Sequence, residues 1–540
     1  MADLLSSTDA LIATFATLVF FAVATVLIGR RGLIKKYDHD SYMAARNTQG
    51  ALSLSLSFFV SGAGAWVFFT VPEAALLGGP VALVGYILSC IIPLLIFRMT
   101  APYLRTVLPK GITYFEFIQE RYGPLVNFYA TGISFFYMFL YLTAEFTSVG
   151  SCVTILSNLS SSTAPIVGTS IVTLLYTVLG GLPVSLITDR VQAAGVVLFT
   201  FIVCIAAFDK YSLPSNEEAD ADAAIWDRWR TVTKYGTGTL YDAGENYEHG
   251  FKMAVVLIIA VTSAQLMHSG FQQRIWAAAD SDAIKKGLVG GVLITIPFMV
   301  LFGVLGFLAF ANFGYTLFGP PYVAFLSMFF LVQGLNKGWQ LLSIILAVMM
   351  VASSADTLQS GVSGLLSPCI DSVLEKLGGV KPGSSPKLSV ALNFFLSVFA
   401  VNVPAICLAC EGISVLSLFV MADLLCATCI CPILMGLSPR IHPHAALAGC
   451  LVGFTTAFAV YGAGIDSEDG DLKMMTRAGG LYSDTALTAF LLTPTASTVA
   501  TLLVNIPFAM QGYRFAGFKA TGVTVKTAEG DAADKTTGFA

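Results

Sequence analysis

The sequence predicts an all-α polytopic membrane protein with about thirteen transmembrane helices. Three observations predict it: long apolar runs, few and unevenly placed charges, and two runs broken by glycine. The chain has 540 residues, of which 56% are hydrophobic and only 11% charged, against about 25% charged in a soluble domain. Ala10 to Gly29 is uncharged and, at ~1.5 Å per residue, long enough to cross a hydrocarbon core of ~30 Å. Further runs fall near 50–71, 78–98, 124–157, 163–181, 188–208, 252–275, 285–313, 335–362, 387–408, 411–437, 443–463 and 484–510. So many runs exclude a signal peptide ahead of a soluble body.

The charges orient these runs. With the N-terminus outside, the inner loops hold Arg30, Arg31, Lys35, Lys36 and Arg46, then Arg98, Arg105, Lys110 and Arg121, and so on through Arg440 and the tail. That arrangement places 21 of the 29 Lys and Arg inside. The outer loops carry acid instead, at Glu217, Glu218, Asp220 and Asp222 and again at Asp466, Glu468, Asp469 and Asp471. The pattern obeys the positive-inside rule. It predicts an integral protein of the plasma membrane with a cytoplasmic C-terminus. Asn158-Leu159-Ser160 is a glycosylation sequon on a predicted outer loop, consistent with that orientation. Cys426, Cys429 and Cys431 form a CxxCxC string inside a membrane run. There they read as buried structural thiols rather than zinc ligands.

One membrane domain accounts for nearly all of the chain. Residues 1–48 form a first helix and inner loop, 49–437 a transport core, 438–512 two additional helices and 513–540 a disordered cytoplasmic tail. The stretch 99–123 is too polar to span. Its Ile112, Phe115, Ile118 and Tyr122 fall at helical spacing, which predicts an amphipathic stretch facing the membrane. Residues 209–250 read as a polar outer loop.

Two spans look interrupted. The second contains Ser61-Gly62-Ala63-Gly64 and the seventh Gln265, His268, Ser269 and Gly270. Glycines weaken a helix and free backbone carbonyls. Broken helices at membrane depth are tolerated where they line a cavity or are buried in protein. Runs 2–6 and 7–11 form two sets of five, within 49–208 and 251–437, and each set begins with a broken helix. Five is odd, so the sets insert with opposite orientation. That is the inverted-repeat pattern of secondary transporters, with binding at the midplane.

Several residues carry candidate chemistry. Ser353 and Ser354 offer adjacent hydroxyls, hard oxygen ligands for a small cation. Asp423 lies deep in the eleventh run, where an ionised carboxylate costs at least ~2.5–3.5 kcal/mol on insertion scales; facing a cavity answers that cost. Glu145, nearer the outer surface, poses the same question. Asp189 lies at the inner end of the sixth run, as an ion-pathway group or as a partner of Arg190. Trp66 offers a flat apolar face with one donor. Gln265 and His268, one turn apart, are expected to share a helix face beside the break.

The chain resembles the sodium/solute symporters. Ser41-Tyr42-Met43-Ala44-Ala45-Arg46-Asn47 is similar to the loop before the family's first core helix. Thr113-Tyr114-Phe115-Glu116-Phe117, then Glu120-Arg121-Tyr122-Gly123, is similar to its inner-loop signature. Tyr176-Thr177, Gly180-Gly181-Leu182 and Thr188-Asp189-Arg190-Val191-Gln192 form the most specific match, and Gly270-Phe271-Gln272-Gln273-Arg274 with Ala277-Ala278 is another. The resemblance spans about residues 40–440 and implies a LeuT-like 5+5 inverted-repeat fold. It implies a sodium ion held by carbonyls of Val60, Ala63 and Met350 and hydroxyls of Ser353 and Ser354. It also implies a substrate contact at Gln265. His268 stands where sugar-transporting relatives carry an aromatic, which argues against a stacked sugar. Trp66 and Asp423 complete the expected substrate set. Some relatives place an aspartate where this chain has Gly62, so no local charge reinforces the ion there.

The reading is a sodium-driven symporter of a small polar solute. Two alternatives stay open: a proton-coupled urea or polyamine transporter on the same fold, and a non-transporting sensor or channel. No nucleophile–base pair or metal constellation suggests an enzyme. The implied partners are the solute, sodium or a proton, and a lipid bilayer; no nucleic acid and no cofactor beyond the co-transported ion is expected.

Overall fold

A computed structural model describes residues 4–28, 39–214, 220–237, 247–318, 324–376, 401–412, 415–463, 483–518 and 523–524. Among these residues ten helices are long and apolar enough to cross a membrane. Shorter apolar helices accompany them at Ala51–Gly62, Thr163–Val178 and Ala324–Gln333.

The chain opens with α1 (Ser7–Ile28) and a short α2 (His39–Ala44). The first broken pair follows: α3 (Ala51–Gly62) and α4 (Val67–Val107). A short α5 (Tyr114–Tyr122) leads to α6 (Pro124–Ile155) and the long α7 (Thr163–Lys210). After α8 (Asp220–Lys234) comes the second broken pair, α9 (Glu248–Leu266) and α10 (Ser269–Ala277). Then α11 (Ser281–Phe313), α12 (Ser327–Gln333) and α13 (Lys337–Lys376) complete the part before residue 377. The described remainder holds α14 (Val403–Cys410), α15 (Val415–Ala427), α16 (Ile430–Met435), α17 (Pro443–Ala463) and α18 (Asp484–Met510).

Local sequence explains the breaks and bends. Helix α3 ends at Gly62, and Ala63 leaves the helical region at φ −89°, ψ 71°. Helix α9 ends at Leu266, and His268 sits extended at φ −78°, ψ 99° before α10 begins. Helices α4 and α7 are each kinked at one glycine, Gly79 at φ 63°, ψ −160° and Gly181 at φ 56°, ψ −167°. That region of backbone space is open only to glycine. Pro80 and Pro183 follow close behind in each case, which favours a helix restart.

The core packs α3 against α7, α11 and α13, and α9 against α4 and α15. Helices α17 and α18 pack on each other at one side. The expected spans 443–463 and 484–510 coincide with α17 and α18. The expected span 387–408 lies largely outside the described residues, as do the acids at 466–471.

Three expectations are corrected. The inner stretch does not face lipid: Phe115, Ile118 and Tyr122 are buried in protein. The buried Arg121 explains why, because its guanidinium donates to the carbonyls of Gly436, Ser438 and Ile441 at 2.9, 2.7 and 2.8 Å. The region 209–250 is more than a loop, since α8 packs on α11 and α4. Arg228 anchors it by donating to the Ala311 carbonyl at 2.8 Å. The tail begins in contact with the protein: Phe515 lies 4.6 Å under the Arg121 guanidinium, and Phe518 is buried beside Phe117.

Candidate functional site

The first break is held by aromatic donors. The Gly62 carbonyl, freed where α3 stops, accepts from Trp66 Nε1 and from the Tyr141 hydroxyl, both at 3.2 Å. Trp66 Nε1 also donates to Tyr141 at 2.9 Å. One turn along α6 from Tyr141 stands Glu145. It is fully buried, and its carboxylate accepts from the Ala65 amide at 3.0 Å. Ser354 of α13 faces the same carboxylate. A Cβ built on Gly64 would fall inside that carboxylate, so glycine at this position leaves room for the acid.

The second break places Gln265 and His268 differently from expectation. The helix stops between them, so they do not share a helical face. Gln265 lines the central cavities, with its Oε1 buried and unpartnered. His268 is fully buried outside those cavity walls, its ring 4.8 Å from Phe271, 5.7 Å from Tyr141 and 6.0 Å from Tyr137.

A cavity lies between the broken helices. Trp66, Tyr86, Tyr137, Tyr141 and Phe419 wall it, and Asp423 supplies its carboxylate. Trp66 stacks on Tyr86 at 5.8 Å, and Tyr141 meets Phe419 edge-on at 5.1 Å. Asp423 Oδ1 is buried and accepts from no group among the described residues. None of the described lining residues is basic. The site therefore presents aromatic faces and two unanswered acceptors. Of the expected substrate set, Trp66, Gln265 and Asp423 come together here; His268 does not. The rings of Tyr86, Tyr137, Tyr141 and Phe419 escaped the sequence reading. Their one sequence signal is the polar stripe Tyr137, Tyr141 and Glu145 at four-residue spacing on α6.

The two serines have different hydrogen-bond partners: Ser353 donates to Asp189 Oδ1 at 2.9 Å, whereas Ser354 donates to the Val351 carbonyl at 3.3 Å. Asp189 is fully buried and pairs with Arg274, not Arg190, at 2.9 Å. Arg190 turns instead to Ser53 and Gln49. Ser57 donates to Asp189 at 2.5 Å and accepts from Arg274 at 2.7 Å. Arg274 also donates to Thr357 and to the Gly270 carbonyl. One network thus ties α3, α7, α10 and α13. Met350 and Val60 are fully buried on α13 and α3, and Ala63 lies at the break. The thiols of Cys426 and Cys429 are buried and unpaired, with Cys431 half-buried.

Broken helices around a central cavity, within this helix order, define a membrane transporter of the LeuT-like fold. A sodium-coupled sialic acid symporter, captured substrate-bound and outward-open, shares that fold with a TM-score of 0.68 at 14% identity, over 92% of this chain and 98% of that one. Mhp1, a nucleobase-cation-symport-1 family transporter, aligns with a TM-score of 0.48 at 12% identity, over 88% of this chain and 95% of that one. The profile of the sodium:solute symporter family matches residues 42–453, and the chain belongs to that family. The spermidine transporter DUR31 of Candida albicans is 24% identical over 497 residues, 90% of this chain and 88% of that protein. The chain is thus a symporter of the membrane and not an enzyme.

Proposed function

We propose that this chain uses an inward sodium gradient to take up a small organic amine in its protonated form. The observation that carries the solute assignment is the cavity beside Trp66. Its aromatic faces attract a cation, worth ~0.5–2 kcal/mol for each good contact. Asp423 Oδ1 and Gln265 Oε1 are buried acceptors without donors, and an ammonium brings donors alone. An anion such as a sugar acid would meet the Asp423 carboxylate with no basic lining residue to offset it. The spermidine transported by the relative from Candida albicans is a solute of the favoured class.

For the ion, the reading keeps the carbonyls of Val60, Ala63 and Met350 and the hydroxyls of Ser353 and Ser354 as its surroundings. Asp189, beyond Ser353, takes the role of the inner path. The N-terminus is placed outside and the C-terminus in the cytoplasm, in the plasma membrane. A proton is the rival coupling ion.

Uptake of radiolabelled spermidine into proteoliposomes tests this. An imposed sodium gradient is expected to drive concentrative uptake that saturates, with shorter amines competing. Uptake that ignores both sodium and proton gradients would remove the symport reading. Uptake of neutral polar solutes in preference to amines would remove the solute assignment.

A further inference from the structure

We propose that Glu145 is the charged group of the coupling-ion site, standing in from α6 for the charge that α3 lacks. The inference deepens the symporter reading above and rests on it. Four observations carry it. Glu145 is fully buried. One oxygen accepts from the Ala65 amide, at the point where α3 has ended and α4 has not begun. The other oxygen is buried with no hydrogen-bond partner among the described residues. Ser354, the hydroxyl expected at the ion, stands near this carboxylate and donates its proton to the Val351 carbonyl at 3.3 Å. An unanswered carboxylate oxygen, a hydroxyl and an unwound backbone are the hard oxygen donors that a small monovalent cation takes.

Glu145 is also separated from the solute. Tyr141, one turn away on α6, lines the aromatic cavity, and Glu145 does not. Asp189, Asp356, Asp423 and His268 have other surroundings, although Asp356 Oδ2 and both His268 ring nitrogens are also buried without a hydrogen-bond partner among the described residues. Asp189 holds Arg274, Asp356 accepts from Thr177 at 2.7 Å, Asp423 faces the cavity, and His268 is enclosed by rings. Glu145 is the acid left at the break. Gly64 fits the same account: a larger residue there would occupy the carboxylate's place.

The test compares the purified full chain with Glu145→Gln, which keeps the shape and an acceptor for Ala65 but removes the charge. Sodium chloride against potassium chloride is expected to raise the melting temperature of the wild type and leave the variant unmoved. In proteoliposomes the variant is expected to lose gradient-driven spermidine accumulation by at least about tenfold, the equivalent of ~1.4 kcal/mol. If only a proton gradient drives the wild type and Glu145→Gln abolishes that drive, Glu145 keeps its role with a proton as its cation. An equal sodium shift in both proteins, or accumulation that survives the substitution, overturns the inference. Where Glu145→Gln does not fold, Glu145→Asp is the second variant. Its shorter arm draws back from Ala65, so half-saturating sodium should rise about tenfold; an unchanged value overturns the inference. Absence of spermidine counterflow in the wild type would count against the solute assignment alone, since the sodium-induced melting shift judges Glu145 without solute.

Discussion

Replacing Asp189 by Asn should destabilise the protein far more than its single-atom change in shape suggests. Asp189 and Arg274 are both fully buried and 2.9 Å apart. The carboxylate accepts from Ser57, Ser353 and Arg274. Asp189→Asn keeps one acceptor oxygen, so either Ser353 at Oδ1 or Ser57 and Arg274 at Oδ2 then meet an amide NH2, and the guanidinium loses its counter-charge. Arg274 keeps neutral acceptors at Ser57, Thr357 and the Gly270 carbonyl, which soften the loss without cancelling it. Removing one partner of a buried pair costs about 3–5 kcal/mol. Arg274→Gln should cost a similar amount, since it strands the carboxylate. The double variant strands neither charge, so it should be more stable than either single one, with a coupling of at least about 2 kcal/mol. Unfolding in detergent micelles titrated with sodium dodecyl sulfate measures all four corners of the cycle. Additive losses would refute the reasoning, because they would mean that the two charges do not depend on one another in the fold.

Three further outcomes follow from other parts of the molecule. Asp423→Asn should raise the KM for spermidine about 10–100-fold with a smaller change in maximal rate, as expected for loss of a charged hydrogen bond of ~1.5–3 kcal/mol; initial-rate uptake in proteoliposomes checks it. Burial pushes the Glu116 carboxyl, which accepts from the Ile112 amide at 3.1 Å, up to about 7 from its ordinary 4.5. The folded state therefore holds this proton more tightly than the unfolded state. The resulting stability is fully present below pH 4.5 and is lost as pH rises through about 7, a swing of roughly 2–3 kcal/mol that Glu116→Gln should flatten in melting curves across that window. Gly79→Ala combines a positive φ with a Cβ that would meet the backbone of Tyr235 and Gly236; a loss of about 2–4 kcal/mol and a lower yield of monodisperse protein are expected in size-exclusion chromatography.

About thirteen spans were expected, and among the described residues ten helices are long and apolar enough to cross a membrane. Those helices and both breaks were legible because they are written locally, in apolar length and in glycines. What surrounds the breaks was not. Glu145 meets Ala65 from 80 residues away, and Arg274 meets Asp189 from 85. Pairing at that distance is set by helix packing. Periodicity fails for a further reason in a membrane. A helix that is apolar all round gives no contrast between a face toward lipid and a face toward protein. The same blindness explains why two neighbouring serines on α13 could not be assigned separate partners from their order alone. For α5 the reason is different: an amphipathic helix can bury its apolar side in lipid or in protein, and here that side lies in protein. The shared-face expectation for Gln265 and His268 failed differently: it assumed a helical turn across the residues where the helix stops.

Tyr141 touches the aromatic cavity with its ring and the Gly62 carbonyl with its hydroxyl, and Glu145 follows four positions later. Four positions of α-helix advance only ~6 Å. A guest leaning on the ring and a cation drawn to the acid would therefore press on the same short length of α6. No relay across the molecule is then needed for each to sense the other; a single stiff rod, nudged at two neighbouring points, is enough.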